Sequence, residues 1–444
     1  MDISLDKKSS TEAIIKVKLN ETDYQPKVEE KVKDYAKKAN IKGFRPGKVP
    51  TGLIKKMYGK SILVEEVNNT LSQSINNYVK ENNIQLIGEP LPDQEKSKNI
   101  DWDTQKEFEF EYEIGMVDDF KYDISSKVKV KSYTIELDKK GLNETLDNVK
   151  KQFGEVTNPE VSEEGDDLFG TFQEVDGDLS NESLLKWDNI NKKEQKKFKG
   201  LKSGDSVEIE IHKLVNDIHD LMSLLDIGHD KAHDIKGKFT FTVKNVNRTV
   251  PATLNQDLFD KVFGKDVVKS ESEFTEKVKQ TVEENYKRES NLLLNRDIRD
   301  TLIKSTKIEV PEKFLKKWLL VTNEGKVTEE DIEKEFDEYV RSLKWDLLRN
   351  KISEDNEIKV EHADVKDRAK GMILSQLGGP AAAEQLKDHL DSFADNYLQA
   401  ENGQNYMKVY NELREDKIMD LVKEKISVSD KKVNLEEFKK AAEN

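Results

Sequence analysis

The sequence predicts a multidomain α+β protein with a mixed first part, a middle part of mostly short strands and an all-helical last part. The chain has 444 residues, more than the roughly 250–300 that one hydrophobic core serves, so we expect two to four domains. Its apolar residues recur at every second position in some segments and at every third or fourth position in others, the periods of strands and helices. Only 35% of the residues are hydrophobic and 37% are charged, which predicts an elongated molecule with much surface.

The first domain is predicted for residues 1–115 as an antiparallel sheet with two helices. Residues Ile15 to Leu19 alternate with lysines, and residues Phe108 to Ile114 alternate with glutamates, as in half-buried strands. The second of the two helices is predicted from Leu53 to Asn82. The first, which precedes it in the chain, is predicted from an apolar stripe at helical spacing, formed by Val28, Val32, Tyr35, Ala36 and Ala39.

The remaining chain is predicted as a linker arm and two further domains. Residues 116–154 form the arm, with a short strand near 128–130 and a helix over 141–153. Residues 155–247 form a mostly-β domain, because short β-type runs alternate there with turn residues. Residues 248–444 form a helical domain, in which apolar stripes mark helices such as 331–350 and 406–422.

The segment between the two helices of the first domain is Gly43-Phe44-Arg45-Pro46-Gly47-Lys48-Val49-Pro50. Its glycines allow positive φ and its prolines stiffen the turn. The short residues of such a turn cannot cover Phe44, which favours a partner-binding role, and Arg45 offers a planar, permanently charged group for phosphate or carboxylate. The alternative is an ordinary turn whose phenylalanine folds back onto the helices.

The surrounding charge favours binding over the ordinary turn. Between Lys27 and Lys60 there are eleven Lys or Arg residues and three Asp or Glu residues, a local charge of +8, whereas the whole chain carries −15. A basic segment on an acidic protein is typical of a site for one polyanionic partner. We therefore expect reversible, salt-dependent binding at this segment.

The octapeptide resembles the ribosome-docking signature of the trigger factor family of bacterial ribosome-associated chaperones. The resemblance continues through Tyr58-Gly59, Glu65-Glu66, Ile84 and Gly88-Glu89-Pro90, and the order of elements extends it over nearly the full length. It implies that the chain contacts ribosomal protein and ribosomal RNA beside the peptide exit tunnel. By the same resemblance the ribosome-binding residues are Gly43, Phe44, Arg45, Pro46, Gly47 and Lys48.

Residues 155–247 resemble the FKBP-type peptidyl-prolyl isomerase domain of that family, in the turn Lys199 to Asp205 and the closing strand Lys236 to Phe241. Such an isomerase lowers the barrier of about 18–20 kcal/mol to X-Pro rotation by desolvating the amide in an aromatic-lined cup. Residues 189–197 depart from the family, because they are polar where an FKBP has an apolar loop. Both an active and a vestigial isomerase stay open, and the cup candidates, which could equally be core residues, are Phe169, Phe172, Trp187 and Phe198.

The resemblance also implies that the helical domain forms a body with two arms, which make a cradle for nascent and unfolded polypeptides. A chaperone of this kind needs dispersed apolar patches that bind weakly one by one and act together. For each candidate the alternative is a buried role between helices. The candidates are Phe314, Trp318, Leu319, Met372, Leu377, Tyr397, Met407 and Tyr410.

Several chemistries are absent from the sequence. It has no cysteine, which excludes disulfides, thiolate zinc sites and cysteine nucleophiles. His229 and His233 share helical spacing, but no HExxH pattern accompanies them and we expect no metal. No nucleotide-binding motif occurs, so we expect neither a cofactor nor a need for ATP.

The location and assembly of the protein follow from the same reasoning. The N-terminus has no apolar core of signal-peptide length, and no run approaches the roughly 18 apolar residues of a membrane helix. We therefore expect a cytoplasmic protein without a membrane partner. The family resemblance is compatible with a weak homodimer away from the ribosome.

Three functions are thus open. The first is an ATP-independent, ribosome-docked chaperone, and the second is an active prolyl isomerase that serves as a general folding catalyst. The third is an RNA-binding protein, which would want aromatic side chains interleaved with the basic ones. We rank it last, because the basic segment contains only three aromatic residues, Tyr35, Phe44 and Tyr58.

Overall fold

The computed structural model describes residues 1–42, 44–45, 47–98, 100–377, 386 and 389–443. These residues form two compact units, each built from separate stretches of the chain. The first unit comprises Met1–Ser132 and Leu292–Asp430, and the second comprises Tyr133–Asn291 and Lys431–Asn444. Within the described residues, every helix is too short or too polar to cross a bilayer.

The first 250 residues contain both strands and helices, and the described residues after them are mainly helical. The strands are β1 (Asp2–Lys7), β2 (Glu12–Leu19), β3 (Gln85–Pro92), β4 (Phe108–Val117), β5 (Lys129–Ile135), β6 (Glu155–Thr157), β7 (Asp167–Glu174), β8 (Ser180–Leu185), β9 (Ser206–Glu210), β10 (Lys238–Val250) and β11 (Ser427–Val433). The helices are α1 (Glu21–Lys38), α2 (Thr51–Glu81), α3 (Gln94–Lys98), α4 (Lys139–Gln152), α5 (Ile211–Leu214), α6 (Ile218–Leu225), α7 (His229–Asp234), α8 (Gln256–Phe263), α9 (Glu271–Ser305), α10 (Glu312–Thr322), α11 (Glu329–Asp355), α12 (His362–Gln376), α13 (Leu390–Gln399), α14 (Gln404–Lys425) and α15 (Leu435–Ala442).

The first unit contains an antiparallel sheet in the order β1-β2-β4-β3. Its central strands β2 and β4 are those that the alternating pattern predicts, and Ile15, Val17 and Leu19 are buried. The pattern does not predict β3, because glycine and proline interrupt its apolar residues. β3 lies at an edge, where proline is tolerated, and its register with β4 shifts between Ile87 and Leu91.

Helices α1 and α2 form an antiparallel hairpin that shares one core with this sheet. Val28 and Val32 of α1 and Ile62 of α2 are buried in that core, as the helical stripe predicts. Tyr35 departs from the prediction, because it is 39% exposed. It lies about 100° around the helix from the buried Ala36, which places its ring at the edge of the helix interface.

Helix α10 approaches the same sheet closely at two glycines. A Cβ atom at Gly115 of β4 would lie 2.4 Å from Cδ1 of Phe314, and one at Gly88 of β3 would lie 3.1 Å from the Trp318 ring. Glycine is therefore needed at Gly115, since a side chain there would overlap the buried phenylalanine ring. This contact positions α10 against the first domain's sheet.

Two further cores complete the first unit. One joins the segment after β4 to α9, α10, α11 and α14, with Phe120, Ile298, Leu348 and Ile418 among its buried residues. The other is a small bundle of α12, α13 and α14. Its buried residues are Val365, Ala369, Ala394, Leu398 and Val409.

The second unit contains a five-stranded sheet, in which β10 pairs with β6, β7 and β9, and β7 pairs with β8. β7, β9 and β10 are among the short strands that the sequence predicts for this part of the chain. The helices α5, α6 and α7, between β9 and β10, are not among the predicted elements. A separate core joins α4 and α8 to the start of α9, where the rings of Phe259 and Phe274 stack 4.9 Å apart.

Candidate functional site

The tip, defined as residues 43–48, connects α1 to α2 at the end of the hairpin. The backbone N–H of Phe44 donates to the Ile41 carbonyl at 3.0 Å, and that of Lys48 donates to the Arg45 carbonyl at 2.9 Å. Gly47 has φ +77°, which a residue with a side chain rarely adopts. Gly43 and Pro46 of the predicted site lie outside the described residues.

The next residues anchor the tip to the core. Val49 is 5% exposed and Ile54 is fully buried, so the chain returns to the interior directly after Lys48. Phe44, by contrast, is 40% exposed although it is large and apolar. This large apolar side chain is therefore partly open to solvent in the segment between α1 and α2.

The cations of the tip are available to a ligand. Among the described residues, no carboxylate lies within ion-pair distance of Arg45 or Lys48, and both are exposed. Farther down the hairpin Lys31 is engaged, because it pairs with Glu65 at 2.9 Å. Arg45 and Lys48 thus carry positive charge without an ion-pair partner in the described part of the chain, next to the exposed Phe44 in the sequence.

The four aromatic cup candidates of the second unit do not line one open surface. Phe172 and Phe198 are fully buried and Trp187 is nearly so, all within one core. The ring of Phe241 packs 4.5 Å from that of Phe172 and 6.1 Å from that of Phe198. Phe169 is three positions from Phe172 on β7, so it lies on the opposite face of the sheet and is only partly buried.

Helix α6 covers the face of the sheet on which Phe172 lies. Leu221, Leu224 and Leu225 of α6 belong to the same core as Phe172, and the Asn181 side chain of β8 donates to the Leu224 carbonyl at 2.9 Å. The signal for this helix was available in the sequence. Apolar residues recur at helical spacing from 218 to 225, after Asp217, whose carboxylate caps the first turn.

A partly buried ion pair joins the entry of β7 to β10. Arg248 donates from Nε to Oδ1 of Asp166 at 2.8 Å and from its terminal nitrogen to Oδ2 at 2.7 Å. Burial would raise the pKa of the Asp166 carboxyl, but the hydrogen bonds from Arg248 and from the Glu163 backbone N–H outweigh it, and that pKa is lowered. The pair therefore stabilises the folded domain while Asp166 is ionised.

We expect Arg248→Met to lower the free energy of unfolding of this domain by about 1–3 kcal/mol at pH 7, because the variant keeps the aliphatic stem but leaves a buried carboxylate with fewer donors. Since the pKa of Asp166 is lower in the folded state, this stabilisation is fully present above about pH 4, the ordinary pKa range of an aspartate. It is lost as the pH falls through the folded-state pKa. Urea unfolding from pH 7 to pH 3 measures the difference.

The matched control is Lys244→Met. Lys244 lies on β10, as Arg248 does, and the variant breaks its exposed ion pair with Glu182 of β8. Exposed pairs contribute about 0–1 kcal/mol, so this variant should unfold nearly like the unchanged chain. Equal stability of Arg248→Met and the control at pH 7 would contradict the importance of the buried pair. If the loss of unfolding free energy in Arg248→Met is as large at pH 3 as at pH 7, the stabilisation does not depend on the ionisation of Asp166.

The predicted client-binding residues differ widely in exposure. Phe314 is buried against β4, and Trp318 and Leu319 are partly buried on the same helix. Leu377 and Met407 are 56% and 52% exposed, so they present apolar surface in this conformation. Met372, Tyr397 and Tyr410 are partly buried against the α12–α14 bundle.

Comparison with known proteins places the whole chain in one family. A family model described as bacterial trigger factor protein matches residues 1–149, one described as the FKBP-like domain of probable trigger factor matches 156–251, and one described as its C-terminal domain matches 290–442. The three matches follow one another in this order and leave residues 150–155 and 252–289 between them.

Curated relatives match over most of their length as well. Trigger factor of Brucella abortus is 23% identical, with 96% of this chain and 90% of the relative covered. Trigger factor of Marinobacter nauticus is 24% identical, with 100% and 99% covered. A solved structure of the trigger factor chaperone, described by its promiscuous substrate recognition in folding and assembly, is 15% identical with a TM-score of 0.44, and 95% of this chain and 99% of that chain are covered.

Because three models of the same family cover most of the chain in order, the protein belongs to the trigger factor family of chaperones, with an FKBP-like domain in the middle of the chain.

Proposed function

We propose that this chaperone acts without ATP in the cytoplasm, docks at the peptide exit tunnel of the ribosome through its tip, and shields nascent polypeptides. The observation that carries the proposal is the tip itself. It combines the exposed ring of Phe44 with Arg45 and Lys48, two cations that have no carboxylate of the described residues within ion-pair distance. The ribosome presents RNA phosphates and protein side chains together, and such a tip suits both.

The proposed division of labour follows the domains, taken as residues 1–115, 116–154, 155–247 and 248–444. The first docks, the second links, and the fourth offers apolar surface to unfolded chains. Leu377 and Met407 support this role of the fourth domain, because they leave large apolar side chains exposed. Scattered weak contacts of this kind hold an unfolded chain by avidity and release it readily.

The third domain serves in this proposal as additional binding surface rather than as an isomerase. The buried positions of Phe172, Trp187 and Phe198 support this assignment. An isomerase cup must admit a prolyl peptide to its aromatic rings, and here the leucines of α6 occupy that side of the sheet.

Two measurements on the unchanged chain test the proposal. The fraction of the chain that sediments with 70S ribosomes should fall as the salt concentration rises. For each phosphate that the protein neutralises, a fourfold rise in salt lowers the affinity about threefold. The chain should also suppress aggregation of a chemically unfolded protein, equally with and without ATP. Failure to sediment with ribosomes at low salt would contradict docking, and aggregation suppression that requires ATP would contradict the proposed chaperone mechanism.

A further inference from the structure

Along the hairpin towards the tip, the contacts between α1 and α2 change from polar to aromatic. Lys27 and Lys31 of α1 follow each other at a spacing of four and bind polar side chains of α2, as in the 2.9 Å pair of Lys31 with Glu65. The next residue at this spacing is Tyr35. It meets Tyr58 of α2, with ring centroids 6.3 Å apart and planes inclined by 47°.

Both tyrosines of this tilted pair are exposed. Tyr35 and Tyr58 are 39% and 41% exposed, and the adjacent Met57 is also exposed. Among the described residues, neither tyrosine hydroxyl has a hydrogen-bond partner. The pair therefore exposes aromatic surface that neither the core nor a polar network among the described residues of the hairpin uses.

The charge around the pair is positive. Lys38 lies three residues after Tyr35 on α1 and Lys55 three residues before Tyr58 on α2, so each neighbours one ring on its helix. Within the described part of the chain, Lys38 has no ion-pair partner, and the contact of Lys55 with Glu29 is long, at 3.9 Å. Asp34, the acidic residue beside Tyr35, is engaged by Lys37.

We propose that Tyr35 and Tyr58, with Lys38 and Lys55, form a second contact that binds an unpaired segment of ribosomal RNA. Bases that are not in a helix stack on aromatic side chains, and lysines beside the rings neutralise the phosphates. A protein partner would need an acidic surface to match the same charge, whereas RNA carries that charge on every nucleotide. This inference rests on the proposed ribosome docking and names the component that the second contact recognises.

The test replaces both tyrosines in the full-length chain. Tyr35→Leu/Tyr58→Leu keeps apolar cover and a good helix former at both positions but removes the stacking faces. Tyr35→Phe/Tyr58→Phe keeps the rings and loses only the hydroxyls. The probe is a fluorescent single-stranded oligouridine, with an RNA duplex of equal length as the second probe, and fluorescence anisotropy measures affinity at low salt.

We expect the double leucine variant to bind the oligouridine about tenfold more weakly, and the double phenylalanine variant to bind like the unchanged chain. Binding of the duplex, whose bases are already stacked, should not respond to either change. The matched control is Phe393→Leu, which removes a ring of similar exposure from α13. It should leave oligouridine binding unchanged.

Unchanged oligouridine affinity in the double leucine variant overturns the inference, and so does an equal loss on the duplex. Ribosome sedimentation then separates this inference from the docking proposal. If the unchanged chain does not sediment, docking fails. If the unchanged and double leucine chains sediment alike while a tip variant does not, docking stands and the tyrosine contact is wrong.

Discussion

Phe44→Ala/Arg45→Ala/Lys48→Ala is expected to weaken binding to 70S ribosomes by a hundredfold or more. The three residues supply a large exposed ring and two cations that have no ion-pair partner among the residues that the structure describes. A centrally placed aromatic or arginine anchor typically contributes about 2 kcal/mol or more to an interface, and each lost phosphate contact adds to this. The loss of about 3 kcal/mol corresponds to more than a hundredfold in affinity.

The measurement is sedimentation of labelled protein with ribosomes over a range of ribosome concentrations. Because the three residues are exposed, the variant should unfold at the same urea concentration as the unchanged chain. The matched control is Lys287→Ala/Arg288→Ala/Leu292→Ala, which removes one lysine, one arginine and one large apolar side chain from exposed positions of α9. Equal weakening in both triple variants would mean that net charge, not the tip, governs binding.

The second expectation concerns catalysis by the FKBP-like domain. The full-length chain should accelerate cis–trans isomerisation of a short prolyl peptide no more than a buffer blank does. The rings that would desolvate the prolyl amide, including Phe172 and Phe198, are fully buried, and the leucines of α6 share their core. A tetrapeptide is the right substrate, since a chaperone that holds an unfolded protein can slow its refolding and mask catalysis.

An authentic FKBP provides the positive control in the same assay. Clear acceleration by the chain would contradict the assignment of this domain as binding surface. Phe169→Leu would then locate the activity, because Phe169 is the one cup candidate that is partly exposed. Acceleration that survives this change would place catalysis elsewhere in the domain.

Local sequence pattern predicts the regular elements well where burial is one-sided. β2 and β4 follow from strict alternation, and α1 and α2 follow from their apolar stripes. β3 escapes prediction because an edge strand accepts the prolines that exclude a central one. α6 is missing from the prediction although its apolar residues recur at helical spacing, because a segment of eight residues is also short enough for a strand.

The candidate site is predictable only in part, for a physical reason. The sequence shows that Phe44, Arg45 and Lys48 share a stiff turn, but exposure and unpaired charge depend on what the rest of the fold places nearby. The spacing of Phe169 and Phe172 in a strand predicts that they lie on opposite faces of the sheet. The sequence does not predict the contact of Tyr35 with Tyr58, because that contact depends on the register of two helices.

The most direct test of the central claim is site-specific photo-crosslinking from position 44 on translating ribosomes. A photoreactive phenylalanine analogue replaces Phe44 in one chain and Leu292, an exposed residue of α9, in the control. The account predicts crosslinks from position 44 to protein or RNA at the mouth of the exit tunnel, and none there from position 292. Crosslinks to the ribosome from position 292 but not from position 44 would contradict it.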